Sequence, residues 1–379
     1  MSPQATGDRA ASSDADLVGK GFVHAVFAYD VGLSVDLARC RQHVTDLTEV
    51  TQIKHKGHAP QYFQFDPPPL RIVQDVPPIE VEGRRTLPTV DISVYDFGGV
   101  SVRYGFAFEG PLEDWIGFSC ALSATSAVRE DSRARVEHLL SVIETAVDRP
   151  NIADMTEDYL TFHFVGLERL DTLWTERAGQ IARLLRSERD PLSEQEIAEA
   201  MSARVSFGTD DVALIDWNAA LLVDKEPDDV DSVLEFANLQ LLEMRFLDTA
   251  LDKALDRSYE VIQAERSWTT LRRGKHARDA LARVGRFQVD GAILFERVGN
   301  ALKLLGDQYL ARVYRAASQR FRLAEWNAGI LRKLETIESI YQKVHDRSSG
   351  IRMEALEWIV IALITIEVLL SFLPGLRRH

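Results

Sequence analysis

The feature that most constrains the fold is a run of apolar residues near the C-terminus, from Trp358 to Leu373. Glu367 is the one charged side chain within this run, and a Pro-Gly pair, which ends helices, follows it. A bilayer core of about 30 Å needs roughly 20 mainly apolar helical residues, and counting from Ala355 brings the run near that length. A helix this uniformly apolar has no polar face to leave in water. The sequence therefore predicts one transmembrane helix over residues 353–373, with a buried core helix or an interfacial segment as the alternatives.

The residues within and around this run agree with a membrane anchor. Trp358 stands where an interfacial aromatic residue is expected, and arginines lie on both sides of the run. An ionisable group at mid-membrane is costly and usually faces protein. Glu367 therefore predicts a helix–helix contact in an oligomer or, if the helix is short and tilted, a position near one interface. We expect the anchoring side chains to be Leu356, Trp358, Ile361, Ile364, Glu367 and Leu370.

The composition predicts where the rest of the chain lies. Residues 1–20 are small, polar and charged, with no apolar stretch typical of a secretory signal, and we expect them to be disordered. The two cysteines, Cys40 and Cys120, fit a reducing compartment and exclude a disulfide framework or a cysteine zinc site. We expect a single-pass protein of the bacterial inner membrane with its bulk in the cytoplasm. The net charge of −14 argues against nucleic-acid binding by the whole molecule.

The first half of the chain predicts an α+β domain over residues 21–170, because strands and helices mix there without a regular βαβ alternation. The apolar runs Gly21–Tyr29 and Tyr159–Val165 predict buried strands. Alternation on both sides of the Gly98-Gly99 pair predicts a hairpin. The helices expected in this domain cover Ser34–Val44, with Ser34 as its cap, then Pro111–Ala121 and Ser123–Val147.

Residues 171–349 predict a helical domain. Leu173–Leu185 is amphipathic, and the SEQE sequence from Ser193 predicts a capped helix start. The apolar stretch Asp210–Val223 fits a strand or a helix, because its periodicity does not decide between them.

Two long helices are expected in this helical domain, over Ser232–Glu265 and Asp307–Val344. Both repeat apolar residues three or four positions apart along their whole length. We expect them to form a hairpin or coiled coil within one chain, and pairing between subunits is the alternative.

Motifs that carry a known chemistry are absent from the sequence, which contains no P-loop, GxGxxG, nucleophile elbow or HExxH. The spacing of His55 and His58 suits a metal, but no third ligand is near in sequence, so a solvated loop is the plainer interpretation. His24 and His163 lie in apolar strands and are interpreted as core histidines. The sequence therefore predicts no catalytic residue, no metal and no cofactor.

Acidic residues precede two of the apolar segments. Asp210 and Asp211 precede one, and Asp228, Asp229 and Asp231 precede the first long helix. We interpret both groups as loop acids that cap helices and favour the helix dipole. A metal-binding or general-acid role is the alternative.

One segment is strongly basic, although the chain as a whole is acidic. Residues 266–286 carry seven basic side chains and a single acid, Asp279, with Trp268 among them. Anionic lipid headgroups or an RNA backbone are natural partners for such a segment. A solvated helix face that pairs with acids elsewhere in the fold is the alternative. The basic residues are Arg266, Arg272, Arg273, Lys275, Arg278, Arg283 and Arg286.

The C-terminal sequence resembles the corresponding sequence of a known protein family. LEW at residues 356–358, the apolar run and IEV at residues 366–368 follow a long helix, as at the end of the required-for-meiotic-nuclear-division family. The VYDFGGVSVRYGF text from Val94 and the segment Asp229–Arg245 are similar to that family's strand pair and central helix. The resemblance covers residues 21–373. It implies a domain of unknown function in an inner-membrane anchor or scaffold within an oligomeric assembly, with no established catalytic residues.

These observations favour a membrane-anchored scaffold or adaptor without enzymatic activity. We expect the lipid bilayer and further copies of the chain as partners, with a protein or RNA in addition and no evident small-molecule substrate. A membrane-tethered RNA- or ribosome-binding protein is the second hypothesis. The third is an enzyme whose site uses His55, His58 or the aspartates near Asp210.

Overall fold

The structure is a computed structural model that describes residues 18–47, 64–65, 67–166, 170–224, 227–265, 292, 296, 302–303, 308–340 and 342. Two compact units divide the chain. Unit 1 comprises residues 1–246 and 294–327, and unit 2 comprises residues 247–293 and 328–379. All the described strands belong to unit 1.

Unit 1 is built on a mixed sheet of nine strands. The described strands of the unit are β1 (Val18–Asp30), β2 (Ser34–Val35), β3 (Gln64–Phe65), β4 (Leu70–Asp75), β5 (Glu80–Val81), β6 (Arg84–Val94), β7 (Gly99–Pro111), β8 (Val147–Asp148), β9 (Glu157–Phe164), β10 (Arg204–Val205), β11 (Val212–Ile215), β12 (Ala219–Val223) and β13 (Leu302–Lys303). The sheet order is β10-β11-β12-β9-β1-β7-β6-β4, with β5 paired to β6. Among the described strand pairs of this sheet, only β12 and β9 run parallel. Two further pairs, β2–β8 and β3–β13, lie outside the sheet.

Helices connect and cover these strands. They are α1 (Leu37–Leu47), α2 (Leu112–Ala124), α3 (Ala127–Ile143), α4 (Leu170–Glu176), α5 (Ala178–Arg186), α6 (Glu194–Ala200), α7 (Asp228–Glu265), α8 (Gln308–Arg320) and α9 (residues 323–340), with a 3-10 helix at Glu144–Ala146. The structure thus confirms a domain of mixed strands and helices in the N-terminal half. It also confirms the two predicted buried strands as β1 and β9, and the predicted hairpin as β6 and β7.

One face of the sheet forms the main core. Alternate side chains of the long strands lie on it, including Phe27 on β1 and Phe162 on β9. Helices α2, α3 and α5 cover this face and contribute the fully buried Trp115, Val136 and Leu184. Burying one such large apolar side chain stabilises a fold by about 1.5–3 kcal/mol, so this face supplies much of the stability of unit 1.

The opposite face of the sheet packs against the first part of α7. Phe236, Leu239 and Leu242 of this helix form a smaller apolar cluster with Ala28 on β1 and with Phe97 in the β6–β7 turn. Unlike the main core, this interface also buries many polar and charged side chains. It is therefore the part of unit 1 where chemistry other than apolar packing is concentrated.

The sheet continues past residue 170, where the sequence predicted a helical domain. The stretch Asp210–Val223 contains strands β11 and β12, and β12 joins the sheet beside β9. Every residue of β11 and β12 is buried. Both faces of these strands are therefore covered, and the alternation that identifies a half-buried strand is missing from their sequence.

Two helix caps can be compared with their predictions. Ser193 accepts a hydrogen bond from the Glu196 backbone N–H at 3.2 Å, which confirms the predicted cap of α6. The prediction of Ser34 as the cap of α1 is wrong, because Ser34 lies in β2. Asp36 performs this role, since its Oδ1 accepts hydrogen bonds from the backbone N–H groups of Ala38 and Arg39, each at 3.1 Å.

The second long helix predicted from the sequence is divided in the structure. Helix α8 ends at Arg320 and α9 begins at residue 323. Arg322 lies between them in the left-handed region, with φ of 54°. A single left-handed residue turns the chain without a glycine or a proline, so the apolar repeat continues across the break.

Unit 2 contains the end of α7, from Leu247, and α9 from residue 328. Lys333 Nζ lies 2.6 Å from Asp248 Oδ1 and 2.7 Å from Asp252 Oδ1, so the two helices lie side by side within this unit. Pairing of these helices between subunits stays a prediction. Among the described helices, none combines the length and the apolar character that crossing a membrane requires. The predicted anchor at 353–373 lies outside the described residues.

Candidate functional site

Polar side chains from four adjacent strands lie on the sheet face that α7 covers. Side chains alternate between the faces of a strand, so the register that sends Val23 and Ala25 to the main core places His24 towards α7. The same alternation operates along β9, β7 and β6. The resulting polar residues are His24, Asp30, Asp91, Ser93, Ser101, Arg103, Thr161 and His163.

Asp231 of α7 contacts two histidines of this face. Its Oδ2 lies 3.1 Å from His24 Nδ1, and its Oδ1 lies 3.0 Å from His163 Nε2. The side chains of Asp231 and His163 are buried, whereas 19% of the His24 side chain is exposed. Each carboxylate oxygen therefore has its own imidazole, and one of the two rings reaches solvent.

Strand pairing brings the two histidines together. His24 on β1 is opposite Thr161 on β9, and His163 is opposite Phe22. The histidines are thus diagonal neighbours on one face of an antiparallel pair, close enough for their side chains to touch. Their ring centroids lie 4.7 Å apart, and Thr161 Oγ1 lies 3.3 Å from His163 Nε2.

Asp231 is held in its ionised form. Burial by itself would raise its pKa, but the charge and hydrogen bonds of His163 and His24 outweigh burial and hold the pKa of Asp231 well below its usual range. The position near the start of α7 adds the favourable end of the helix dipole. The site is therefore a buried carboxylate with two nitrogen partners.

A cationic side chain borders this carboxylate. Arg103 Nη2 lies 2.7 Å from Asp91 Oδ2, and Arg103 Nη1 lies 3.8 Å from Asp231 Oδ2. Burial opposes the charge of Arg103, but Glu235, Asp231 and Asp91 outweigh it and raise the pKa of Arg103. Arg71 on β4 also reaches the start of α7, where its Nη2 donates a hydrogen bond to Ser232 Oγ at 2.8 Å.

Several buried polar atoms of α7 have no hydrogen-bond partner among the described residues. They belong to Glu235, Asn238 and Glu243 and comprise Glu235 Oε1, Asn238 Nδ2 and both carboxylate oxygens of Glu243. Buried polar atoms are nearly always paired in folded proteins. Each of these atoms therefore requires a proton, a water molecule or an ion as its partner.

The donor set at the start of α7 has the chemistry of a metal site. In the described part of the chain, His24, His163 and Asp231 form a group whose ligand atoms all lie within 4.8 Å of one another. Two imidazole nitrogens and one carboxylate oxygen are ligands that zinc and non-haem iron accept in proteins. The same three groups also link α7 to the sheet through the contacts of Asp231 with the two histidines.

The sequence located these residues but did not connect them. His24 and His163 were interpreted as core histidines and Asp231 as a capping acid, and the structure joins all three. No local spacing could have shown this, because 207 residues separate His24 from Asp231 and 68 separate His163 from it. The usable signal was a histidine in each of two apolar strands that could pair.

Other residues singled out in the sequence lie elsewhere. Asp211 closes an exposed loop, where its Oδ2 accepts a hydrogen bond from the Phe207 N–H at 2.7 Å, and Asp210 is exposed beside it. His55 and His58 lie outside the described residues, as do all the anchoring side chains and all seven basic residues between Arg266 and Arg286.

Comparison with known proteins places this fold in a family. Residues 20–229 match the family described as "Uncharacterized protein MJ0711, N-terminal domain". The chain belongs to this family. Uncharacterized protein MJ0711 of Methanocaldococcus jannaschii is 24% identical over 238 residues, which cover 62% of this chain and 72% of that protein. No solved structure matches. The family match includes both histidines of the site and ends two residues before Asp231.

Proposed function

We propose that this member of the MJ0711 N-terminal domain family is a membrane-anchored scaffold or adaptor without enzymatic activity. Its sheet-containing unit lies on the cytoplasmic side of a bacterial inner membrane, and the segment 353–373 spans the bilayer. The observation that carries the proposal is the run Trp358–Leu373, which contains one charged residue. The LEW and IEV sequences around that run add the resemblance to the required-for-meiotic-nuclear-division family.

Two properties of the described residues support this proposal. Cys40 and Cys120 are free thiols, which suits a reducing cytoplasm. The first part of α7 is held on the sheet by apolar contacts through Phe236 and by the contacts of Asp231 with His24 and His163. A scaffold that positions partners needs such a firmly attached helix.

The anchor is tested by extracting membranes that contain the full-length chain or a chain that ends at Gly350. The full-length protein should stay in the pellet after carbonate and high-salt washes, and the shortened chain should enter the supernatant. The Glu367→Gln variant is the matched control, because it keeps the apolar run and removes only the charge. A shortened chain that resists both washes would contradict the anchor.

The same membranes test self-association. We propose that Glu367 contacts a neighbouring helix, so the detergent-solubilised full-length protein should have the mass of an oligomer. The Glu367→Gln variant should remain in the membrane but dissociate more readily on dilution. A monomeric full-length protein would exclude oligomerisation through this segment and would leave the anchor unaffected.

A second candidate function rests on the basic segment. Seven cationic side chains between Arg266 and Arg286, in a chain of net charge −14, favour binding to an RNA backbone. Binding of single-stranded RNA should weaken steeply with salt, and a variant with Arg272, Arg273 and Arg278 changed to Glu should lose it. The control is reversal of three exposed arginines, Arg39, Arg85 and Arg189. Equal binding by both variants would exclude this function.

A further inference from the structure

We propose that His24, His163 and Asp231 bind a divalent transition-metal ion between the sheet and the start of α7. The ion would be of the class that accepts two imidazoles and one carboxylate, such as Zn²⁺ or Fe²⁺. This site is independent of the membrane anchor, since all three ligands lie in unit 1.

The positions of the three donors suit a metal. Asp231 Oδ2 lies 3.1 Å from His24 Nδ1, and Asp231 Oδ1 lies 3.0 Å from His163 Nε2. Metal–ligand bonds of about 2.0–2.2 Å place neighbouring donors roughly 3–4 Å apart. Small rotations of the side chains would therefore convert the two histidine–carboxylate contacts into three metal–ligand bonds.

The charges around the donors also favour a cation. Asp231, Glu235 and Asp91 are three acids around Arg103, whose guanidinium pairs most closely with Asp91. Arg71 supplies a second positive charge nearby, through its hydrogen bond with Ser232. Three acidic side chains therefore surround two guanidinium groups, and this excess of acids suits a bound cation.

An unpartnered buried atom belongs to the residue one helical turn after Asp231 on α7. Glu235 follows Asp231 by one helical turn, so both side chains lie on the same face of the helix. Glu235 is 6% exposed, and its Oε1 has no hydrogen-bond partner among the described residues. This oxygen can accept a hydrogen bond from a metal-bound water, as the outer partners of metal sites do.

Access to the ion is provided by one side of the site. His163 and Asp231 are buried, but 19% of the His24 side chain is exposed. Three protein ligands with an edge towards solvent leave a coordination position for water or for a small anionic ligand. A structural zinc site would instead be closed by four protein ligands, so we infer an open site.

The test uses the full-length chain in detergent, stripped with a chelator and titrated with Zn²⁺ and with Co²⁺. We expect one tight equivalent of either ion, visible absorption bands for bound Co²⁺, and a rise in melting temperature with Zn²⁺. Mg²⁺, which prefers oxygen ligands, should not compete. The variants His24→Gln, His163→Gln and Asp231→Asn should each weaken binding at least about tenfold and lose the thermal shift.

Two controls separate this site from other histidines. His138→Gln changes an exposed histidine of α3, and a double His55→Gln, His58→Gln variant removes the pair noted in the sequence. Both should bind the metal like the unchanged chain. Failure of the unchanged chain to bind Zn²⁺ or Co²⁺ would overturn the proposal, and so would unchanged binding by His24→Gln. Because His24 is partly exposed, that variant decides the outcome even if the variants of the two buried ligands do not fold.

Discussion

Asp30 at the end of β1 and Glu243 on α7 are both buried carboxyl groups, and burial, together with the charge of Asp30, raises the pKa of Glu243. Burial also raises the pKa of Asp30 itself to about 7, although the Gly32 N–H donates to its Oδ1 at 2.9 Å. Glu243 is 2% exposed, and both its oxygens lack partners among the described residues. The pair is therefore most stable when it holds protons.

The first prediction is that this pair makes unit 1 less stable as the pH rises. The folded-state pKa of Asp30, about 7, lies above its ordinary value of 3.8, so the folded chain binds more protons than the unfolded chain between these values. The contribution of Asp30 to the free energy of unfolding is therefore complete below about pH 4 and is lost as the pH rises through 7. From pH 5 to pH 8 the loss should be on the order of 3 kcal/mol.

Denaturant unfolding at several pH values checks this slope in the unchanged chain and in the Asp30→Asn variant. Asparagine keeps the oxygen that accepts from Gly32 and removes the charge, so the slope should flatten and stability at pH 8 should rise. Glu325→Gln, at an exposed position of α9, is the control. A slope that is the same in Asp30→Asn and in the unchanged chain would show that Asp30 is not its source.

A second prediction concerns Asp216, in the turn between β11 and β12. Its carboxylate is fully buried and accepts hydrogen bonds from Arg186 Nε at 2.5 Å and from Arg320. Changing Asp216 to Asn leaves two guanidinium groups without their shared anion. The free energy of unfolding should fall by about 3–5 kcal/mol.

Thermal or denaturant melting measures the effect of the Asp216 change. Asp210→Asn, which alters an exposed acid six residues earlier, should remain within about 0.5 kcal/mol of the unchanged chain. Adding Arg320→Gln to the Asp216 variant should cost less than it does alone, because the two residues share one interaction. Strictly additive losses would show that Arg320 and Asp216 are energetically independent.

Local sequence patterns were sufficient to predict elements such as β1, in which one face is apolar and the other carries polar residues. Strand β1 combines a buried apolar face with His24 and Asp30 on the other, and its run of apolar and aromatic residues predicted a buried strand. The cap of α6 was predicted because Ser193 and Glu196 lie three residues apart, the spacing that a capping box requires. In each case the physical cause acts within a few residues of chain.

Elements that depend on distant partners were not predictable in this way. Strand β12 is parallel to β9, and the crossover between them includes α4, α5 and α6. Only the tertiary arrangement shows that Ala219–Val223 is covered on both faces. The link between His24, His163 and Asp231 has the same cause, because strand pairing and the docking of α7 create it.

The break between α8 and α9 was missed for a different reason. Phe321 and Leu323 are buried on either side of the left-handed Arg322. The burial of both neighbours keeps the apolar repeat intact through the turn, and no glycine or proline marks it. A pattern of apolar spacing cannot detect a change of direction that preserves the spacing.

The third prediction tests the packing of helices within unit 2. Lys333 on α9 pairs with Asp248 and Asp252, two acids one turn apart on α7. Lys333→Ala should reduce stability by only about 0.5–1 kcal/mol, because Asp252 is largely exposed. Lys333→Glu should cost more, since three acids would then meet, and amide exchange in α9 should become faster.

The charge-swapped variant Asp248→Lys, Lys333→Glu is the matched control for Lys333. It restores an opposite-charge pair, so the exchange protection of α9 should return towards that of the unchanged chain. If the swap remains as unprotected as Lys333→Glu, the loss does not arise from this ion pair.

The last prediction concerns the two-residue turn that joins β5 to β6. Val81 pairs with Arg84, and both residues between them have positive φ, 45° for Glu82 and 73° for Gly83. This is the conformation of a type I′ turn, which favours Asn-Gly over Glu-Gly because asparagine tolerates the left-handed region. Glu82→Asn should therefore stabilise unit 1 by roughly 0.5–1 kcal/mol, measured as a rise in melting temperature. The Glu82→Gln variant separates the effect of backbone conformation from the effect of the lost charge. The Asn and Gln variants both lose the exposed contact with Arg189 at 3.7 Å, and only asparagine favours the left-handed region. Equal melting temperatures for the Asn and Gln variants would show that left-handed strain at this position is negligible.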